Sequence, residues 1–129
     1  MITDEISNTA KTIDDIYELV KWRYKNVNEQ EVKNVIWMHW FYGTMDIIYR
    51  GNKLVACVRW NVSADFRTFE VEDLFINKGE NGLRIIKHFI ARNWHRFPMV
   101  QYVRFERAWK YPKRNPRFYS ITRILLKEK

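Results

Sequence analysis

The chain has 129 residues, 47% hydrophobic and 16% aromatic, with 23 Lys/Arg against 15 Asp/Glu for a formal charge of +8. That length suits one domain, and six Trp, seven Tyr and eight Phe exclude a disordered chain, which cannot carry so much apolar surface. A lone cysteine, Cys57, excludes an internal disulfide, and no apolar run approaches the ~20 residues of a spanning helix.

The first helical pattern begins at Thr12, which can cap it, and runs through Ile13, Ile16, Tyr17, Val20 and Tyr24; Asp14 and Asp15 suit its positive end. A second helix is expected from near Asn28, with Glu31 completing a capping box, a stripe of Val32, Val35, Ile36, His39 and Trp40, and Gly43 as its stop. The period then shortens. Met45 to Arg50 reads as a strand, Gly51-Asn52 as a two-residue hairpin turn, and Lys53 to Val62 as the returning strand, with Leu54, Ala56, Val58, Trp60 and Val62 on one face. Ser63-Ala64-Asp65 suits a turn. Phe69 to Ile76 reads as a third strand, central because its end (Leu74-Phe75-Ile76) is apolar on both faces. After a polar loop from Asn77 to Gly82, a helix is expected from Leu83 to about Phe97, stopped by Pro98. Val100 to Arg107 reads as a fourth strand, Trp109 to Pro116 as irregular and Ile121 to Leu126 as a last strand.

This order of elements resembles the GCN5-related N-acetyltransferases (GNAT), over about Thr12 to Leu126. The resemblance implies an α/β (α+β) acyl-CoA N-acyltransferase fold in one domain: a central mixed, mostly antiparallel sheet flanked by helices. A strand before the first helix would fall at Glu5 to Thr9. Family members follow an apolar strand end with a short loop, then Arg-Gly-x-Gly-x-Gly/Ala and a helix carrying a Leu-Leu pair. Here Leu74-Phe75-Ile76 is followed, without a gap, by Asn77 to Glu80, then Asn81-Gly82-Leu83-Arg84-Ile85-Ile86, with Phe89-Ile90 at the Leu-Leu positions. Asn81 stands where Arg or Gln is usual, and Arg84 and Ile86 where small residues are usual. The motif works by offering backbone N–H groups at a helix N-terminus to a pyrophosphate, with small residues allowing close approach. The implied cofactor is acetyl-CoA, held by Leu74, Phe75, Ile76, Lys78, Asn81, Gly82, Leu83 and Arg84, with Arg84 and Lys78 adding charge.

Acyl transfer to an amine needs a base for the amine proton and an acid for the leaving thiolate. Glu70, Glu72 and Asp73 lie on the strand where the family often places its base, and Glu72 is the candidate; ordinary strand positions or partners for Arg are the alternative. Asn115-Pro116-Arg117-Phe118-Tyr119 is similar to the pattern that carries the family's acid, which makes Tyr119 the candidate acid or else a packing tyrosine.

His39, His88 and His95 are too scattered, with one Cys, for a metal set, and Cys57 reads as a core residue. Arg104 to Lys129 concentrates nine Lys/Arg and two Glu. Within it Lys110, Lys113, Arg114 and Arg117 alternate with aromatic rings, a pattern that grips phosphates and stacks on bases. A second reading follows: a catalytically silent module that binds nucleic acid or an acidic protein, against the first, an N-acetyltransferase acting on an amine acceptor. The acidic Met1-Ile2-Thr3-Asp4-Glu5 has no basic region of a signal peptide, so a cytoplasmic protein without a membrane partner is expected.

Overall fold

The computed structural model describes residues 2–3, 9–105 and 117–126. Six strands form one sheet in the order β1 (Ile2–Thr3), β2 (Met45–Arg50), β3 (Lys53–Val62), β4 (Thr68–Ile76), β5 (Tyr102–Phe105) and β6 (Arg117–Ser120). The helices are α1 (Thr9–Val20), α2 (Glu29–Phe41), α3 (Gly82–Trp94) and α4 (Ile121–Leu126), with a 3-10 turn at Lys21–Arg23. β1 with β2, β2 with β3, and β5 with β6 are antiparallel, whereas β4 and β5 run parallel. Parallel neighbours need a crossover, and α3 supplies it. The sheet is therefore mixed, mostly antiparallel and flanked by helices. Contacts divide the chain into two compact units, Met1–Arg59 with Leu74–Glu80 and Trp60–Asp73 with Asn81–Lys129.

In the first unit, Ile16, Val20, Val32, Ile36, Met45, Ile47, Tyr49, Leu54, Cys57 and Phe75 form one buried cluster. Asn28 caps α2 by accepting from the Gln30 and Glu31 amides, as expected. Gly43, at φ +74°, ends the helix run-out, and Thr44 N–H closes back on His39 O at 2.9 Å. The outward turn of α2 differs from the expected stripe: Val35 is exposed, while Val32 and Ile36 are buried.

Further expectations are corrected in this unit. α1 begins at Thr9, and Thr12 is buried inside it. Thr12, Ile16 and Val20 recur every four residues, so the buried stripe needs a helical turn ahead of Thr12. Asp14 instead pairs with Lys33 of α2 at 2.8 Å, and Asp15 with Lys11 at 2.8 Å and the Tyr49 hydroxyl at 3.0 Å. In β3 the alternation breaks, because Ile48 faces Ala56 but Tyr49 faces Leu54, leaving Val55 as an extra residue. This bulge brings Leu54 and Cys57, three apart, into the same cluster. A strand before α1 is described at Ile2–Thr3; of the expected Glu5 to Thr9 only Thr9 is among the described residues, and it opens α1.

The core of the second unit is an aromatic cluster. Trp60, Phe89 and Phe97 surround Phe69 edge-on, with ring centroids 5.6 to 6.2 Å from it. Such offset contacts add ~0.5–1.5 kcal/mol per pair beyond area burial. α3 supplies Ile85, Ile86, Phe89, Ile90 and Asn93 to the buried side. It ends at Trp94, earlier than expected, because the chain continues as single turns that seat Val100, whose carbonyl accepts the Trp94 indole N–H at 3.0 Å.

The largest correction lies at the C-terminal end. Residues 121–126 form helix α4 and not a strand, and the last strand is β6, antiparallel to β5. Ser120 Oγ accepts from Arg123 N–H at 3.0 Å, a cap that starts the helix, and Ile121 and Ile124 are buried at helical spacing. β5 is described from Tyr102 to Phe105, starting two residues after the expected Val100; Glu106 and Arg107 lie outside the described residues.

Candidate functional site

β4 carries the carboxylates. Glu70 lies 3.7 Å from Arg104 of β5, so it takes the structural role of an Arg partner. Asp73 is buried. Glu72 is half-buried and makes no ion pair with another described residue. Farther along, Leu74 and Ile76 are half-buried, but Phe75 is not available as a side chain. It is buried against Trp22 (6.0 Å) and Tyr24 (6.5 Å), and only its backbone can meet a ligand.

The loop after β4 is locked by its own hydrogen bonds. Asn77 N–H donates to Val55 O (2.8 Å) and its amide Nδ2 to Leu54 O (3.2 Å), while its Oδ1 accepts from Lys78 N–H (2.9 Å). Glu80 N–H returns to Asn77 O at 3.1 Å across a turn whose third residue, Gly79, has φ +91°, a conformation that favours glycine. The Glu80 carboxylate accepts from the Arg50 guanidinium at 2.7 Å. Lys78 is exposed, with its ammonium unpaired among the described residues.

α3 begins at Gly82, one residue before the expected Leu83. Asn81 is its N-cap, and its side-chain oxygen accepts from Arg84 N–H at 3.0 Å. The first helical bond runs from Ile85 N–H to Asn81 O at 3.1 Å. Among the described residues the N–H groups of Gly82 and Leu83 have no acceptor, as expected for a first turn. The Arg84 side chain is exposed and unpaired among the described residues, and Ile86 is turned into the core, away from the helix end. The motif reading does not assign Asn81 a capping role, although an Asn directly before a helical pattern is an N-cap signal in its own right. Two open N–H groups at the positive end of a helix, beside a free guanidinium, suit a phosphate.

Tyr119 stands elsewhere in the second unit. It pairs with Val103, which pairs with Phe69, so the three lie in one row across β6, β5 and β4. Glu72 is three residues farther along β4. Three residues of about 3.3 Å and two strand spacings of about 4.8 Å put the two Cα atoms on the order of 14 Å apart. The Tyr119 ring packs edge-on to Phe105 at 5.8 Å. The sheet therefore does not bring Tyr119 and Glu72 together. Lys110, Lys113 and Arg114 lie outside the described residues, and Arg117 is described only by its backbone, paired with Phe105.

Two grooves have ligand dimensions. One of about 560 Å³ in the first unit is lined by Asp15, Glu18, Trp22, Lys53, Asn77 and Lys78. One of about 680 Å³ in the second unit is lined by Arg67, Met99, Gln101, Tyr102, Ser120 and Thr122. Neither includes Glu72 or Arg84. Among the described residues no three His, Cys, Asp or Glu side chains form a group able to hold a metal ion, and no helix is long and apolar enough to cross a membrane.

No protein-family model matches the chain, and no curated protein matches it in sequence. Solved structures do match. An aminoglycoside 6'-N-acetyltransferase complexed with coenzyme A superposes with TM-score 0.60 at 12% identity, over 81% of this chain and 60% of that one. The aminoglycoside 6'-N-acetyltransferase from Enterococcus faecium gives 0.56 at 8%, again over 81% and 60%. Tetrahymena GCN5 gives 0.53 at 14%, over 87% of this chain and 74% of that one. The chain thus spans 60% of the length of two of the aminoglycoside enzymes it matches. Mixed sheet, parallel β4–β5 pair, α3 crossover and these superpositions agree: the chain has the fold of the GCN5-related N-acetyltransferases, in a divergent form.

Proposed function

We propose that this protein binds an acyl-coenzyme A, with a phosphate at the first turn of α3, and transfers the acyl group to an amine. The observation that carries the reading is the open pair of N–H groups at Gly82 and Leu83 with Arg84 beside them. One structural neighbour is an aminoglycoside 6'-N-acetyltransferase complexed with coenzyme A, which supports the choice of anion. Asn81 organises this turn by holding Arg84 N–H, and Gly82 leaves room for close approach.

In the transfer, Glu72 takes a proton from the attacking ammonium, and the amine lone pair forms the new C–N bond at the thioester carbonyl. The C–N nitrogen of the adduct then gives up its second proton as the C–S bond breaks, that proton reaches the departing thiolate through solvent, and Glu72 returns its own proton to solvent. Tyr119, a row and two strands away, is left out of this scheme. Titration calorimetry with acetyl-CoA and with free CoA is the test. Saturable one-to-one binding that Arg84→Glu weakens at least about 30-fold is expected; no binding at millimolar ligand overturns the reading.

A second reading is favoured by charge. The second unit holds fourteen Lys/Arg and six Asp/Glu. A silent module that grips an anionic macromolecule would show salt-dependent binding of a single-stranded oligonucleotide. In that case Arg84→Glu would weaken it no more than Arg96→Glu.

A further inference from the structure

α2 has an apolar face that the other described residues leave exposed. Val32 and Ile36 are buried, and on the opposite side Val35, Trp37, Met38 and Phe41 are 44% to 67% exposed, followed by Tyr42 at 72%. The rings form one surface: Trp37 lies 5.6 Å from Phe41, and Phe41 5.4 Å from Tyr42. Asn34 to Met45 has no Asp, Glu, Lys or Arg, the longest such run in the chain. A helix apolar on two faces is a buried helix, and here only one face is covered.

We infer that this face of α2 is the contact of a two-fold dimer, and that its occupant is α2 of a second copy of this chain. Three observations select that occupant. The first is charge. The first unit has nine Lys/Arg and nine Asp/Glu, so two copies meet there without net repulsion, whereas the second unit, fourteen against six, repels its own copy. The second is area. Five side chains about half exposed present on the order of 500 Å² of apolar surface, and two copies bury on the order of 1,000 Å², the threshold of a specific interface. The third is self-complementarity. A two-fold contact needs a patch that fits itself, and edge-to-face rings with one adaptable methionine do so. A neutral unit offers no cationic rim for anionic lipid, and a charge-free face offers no counter-charge to a charged partner.

The test is sedimentation equilibrium of the full chain from about 1 to 200 µM, a range that brackets a micromolar Kd. The mass is expected to rise from 15.9 kDa toward twice that value. Phe41→Glu and Met38→Lys, both at exposed positions, should keep the circular dichroism spectrum and raise the dimer Kd by at least about 30-fold. Mixing Met38→Lys with Met38→Glu should restore association, because the residues meet across the two-fold. A monomer at every concentration overturns the inference. So does a dimer indifferent to Phe41→Glu, or a monomer that co-sediments with phosphatidylcholine vesicles through Phe41.

Discussion

The two units differ in what they do with charge and with rings. In the first, nine basic and nine acidic residues cancel, many as helix-surface pairs such as Lys33 with Asp14 and Glu29, and a cluster of rings on α2 is left outside. In the second, fourteen basic residues face six acidic ones, and the rings of Trp60, Phe69, Phe89 and Phe97 are drawn into the core. Where charge is balanced, apolar surface can meet apolar surface; where it is in excess, an anion is the natural partner. One unit is thus suited to contact and the other to ligand chemistry.

The sharpest way to break that contrast is through the cores. Phe69 is fully buried in the second unit and Ile16 in the first. Phe69→Ala should cost about 3–5 kcal/mol and Ile16→Ala about 2–5 kcal/mol, read from urea midpoints. Because β3 and β4 run through both units, each substitution should shift one common transition. Two resolved transitions would make the units independent. Next in size is the ligand end: Arg84→Glu should raise the acetyl-CoA Kd at least about 30-fold, the loss expected when one charge-assisted hydrogen bond is replaced by repulsion, whereas Lys53→Glu in the first unit should not. Calorimetry reads both.

Asn81→Ala sharpens the comparison within α3. Losing its cap should cost about 1 kcal/mol of stability. It also frees Arg84 N–H for the ligand, so affinity should hold while the melting temperature falls; if both collapse, Asn81 contacts the ligand itself. The smallest effect concerns Asp65. The Ser63 hydroxyl and the Arg67 amide hold its carboxyl below its ordinary value of 3.8. A folded-state value below the unfolded one gives stability that is complete above 3.8 and is lost as pH falls through the depressed value. Asp65→Asn should lower the melting temperature slightly near neutrality, with the difference from wild type vanishing in acid.

Local signals were legible wherever neighbours along the chain decide the outcome. Gly51-Asn52 set the β2–β3 turn, with Gly51 at φ +62°, and Asn28 with Glu31 set the start of α2. The six residues from Ile121 were not legible, because their apolar positions fit a short strand as well as a helix and only the Ser120 cap separates the two. At the candidate site the start of α3 could be read from spacing to within one residue, but the use of Arg84 N–H by Asn81 and the inward turn of Ile86 could not.

By itself the sequence determined the elements from α2 to α3, the hairpin between β2 and β3 and the excess of basic charge. These depend on backbone preferences and periodicity within a few residues. Tertiary structure alone decided the Val55 bulge, the parallel pairing of β4 with β5 and the row that holds Tyr119 away from Glu72. It also decided which face of α2 stays in water. Each of these is set by contacts between residues far apart in the chain, and a pattern of period two or 3.6 carries no record of which distant partner will cover it.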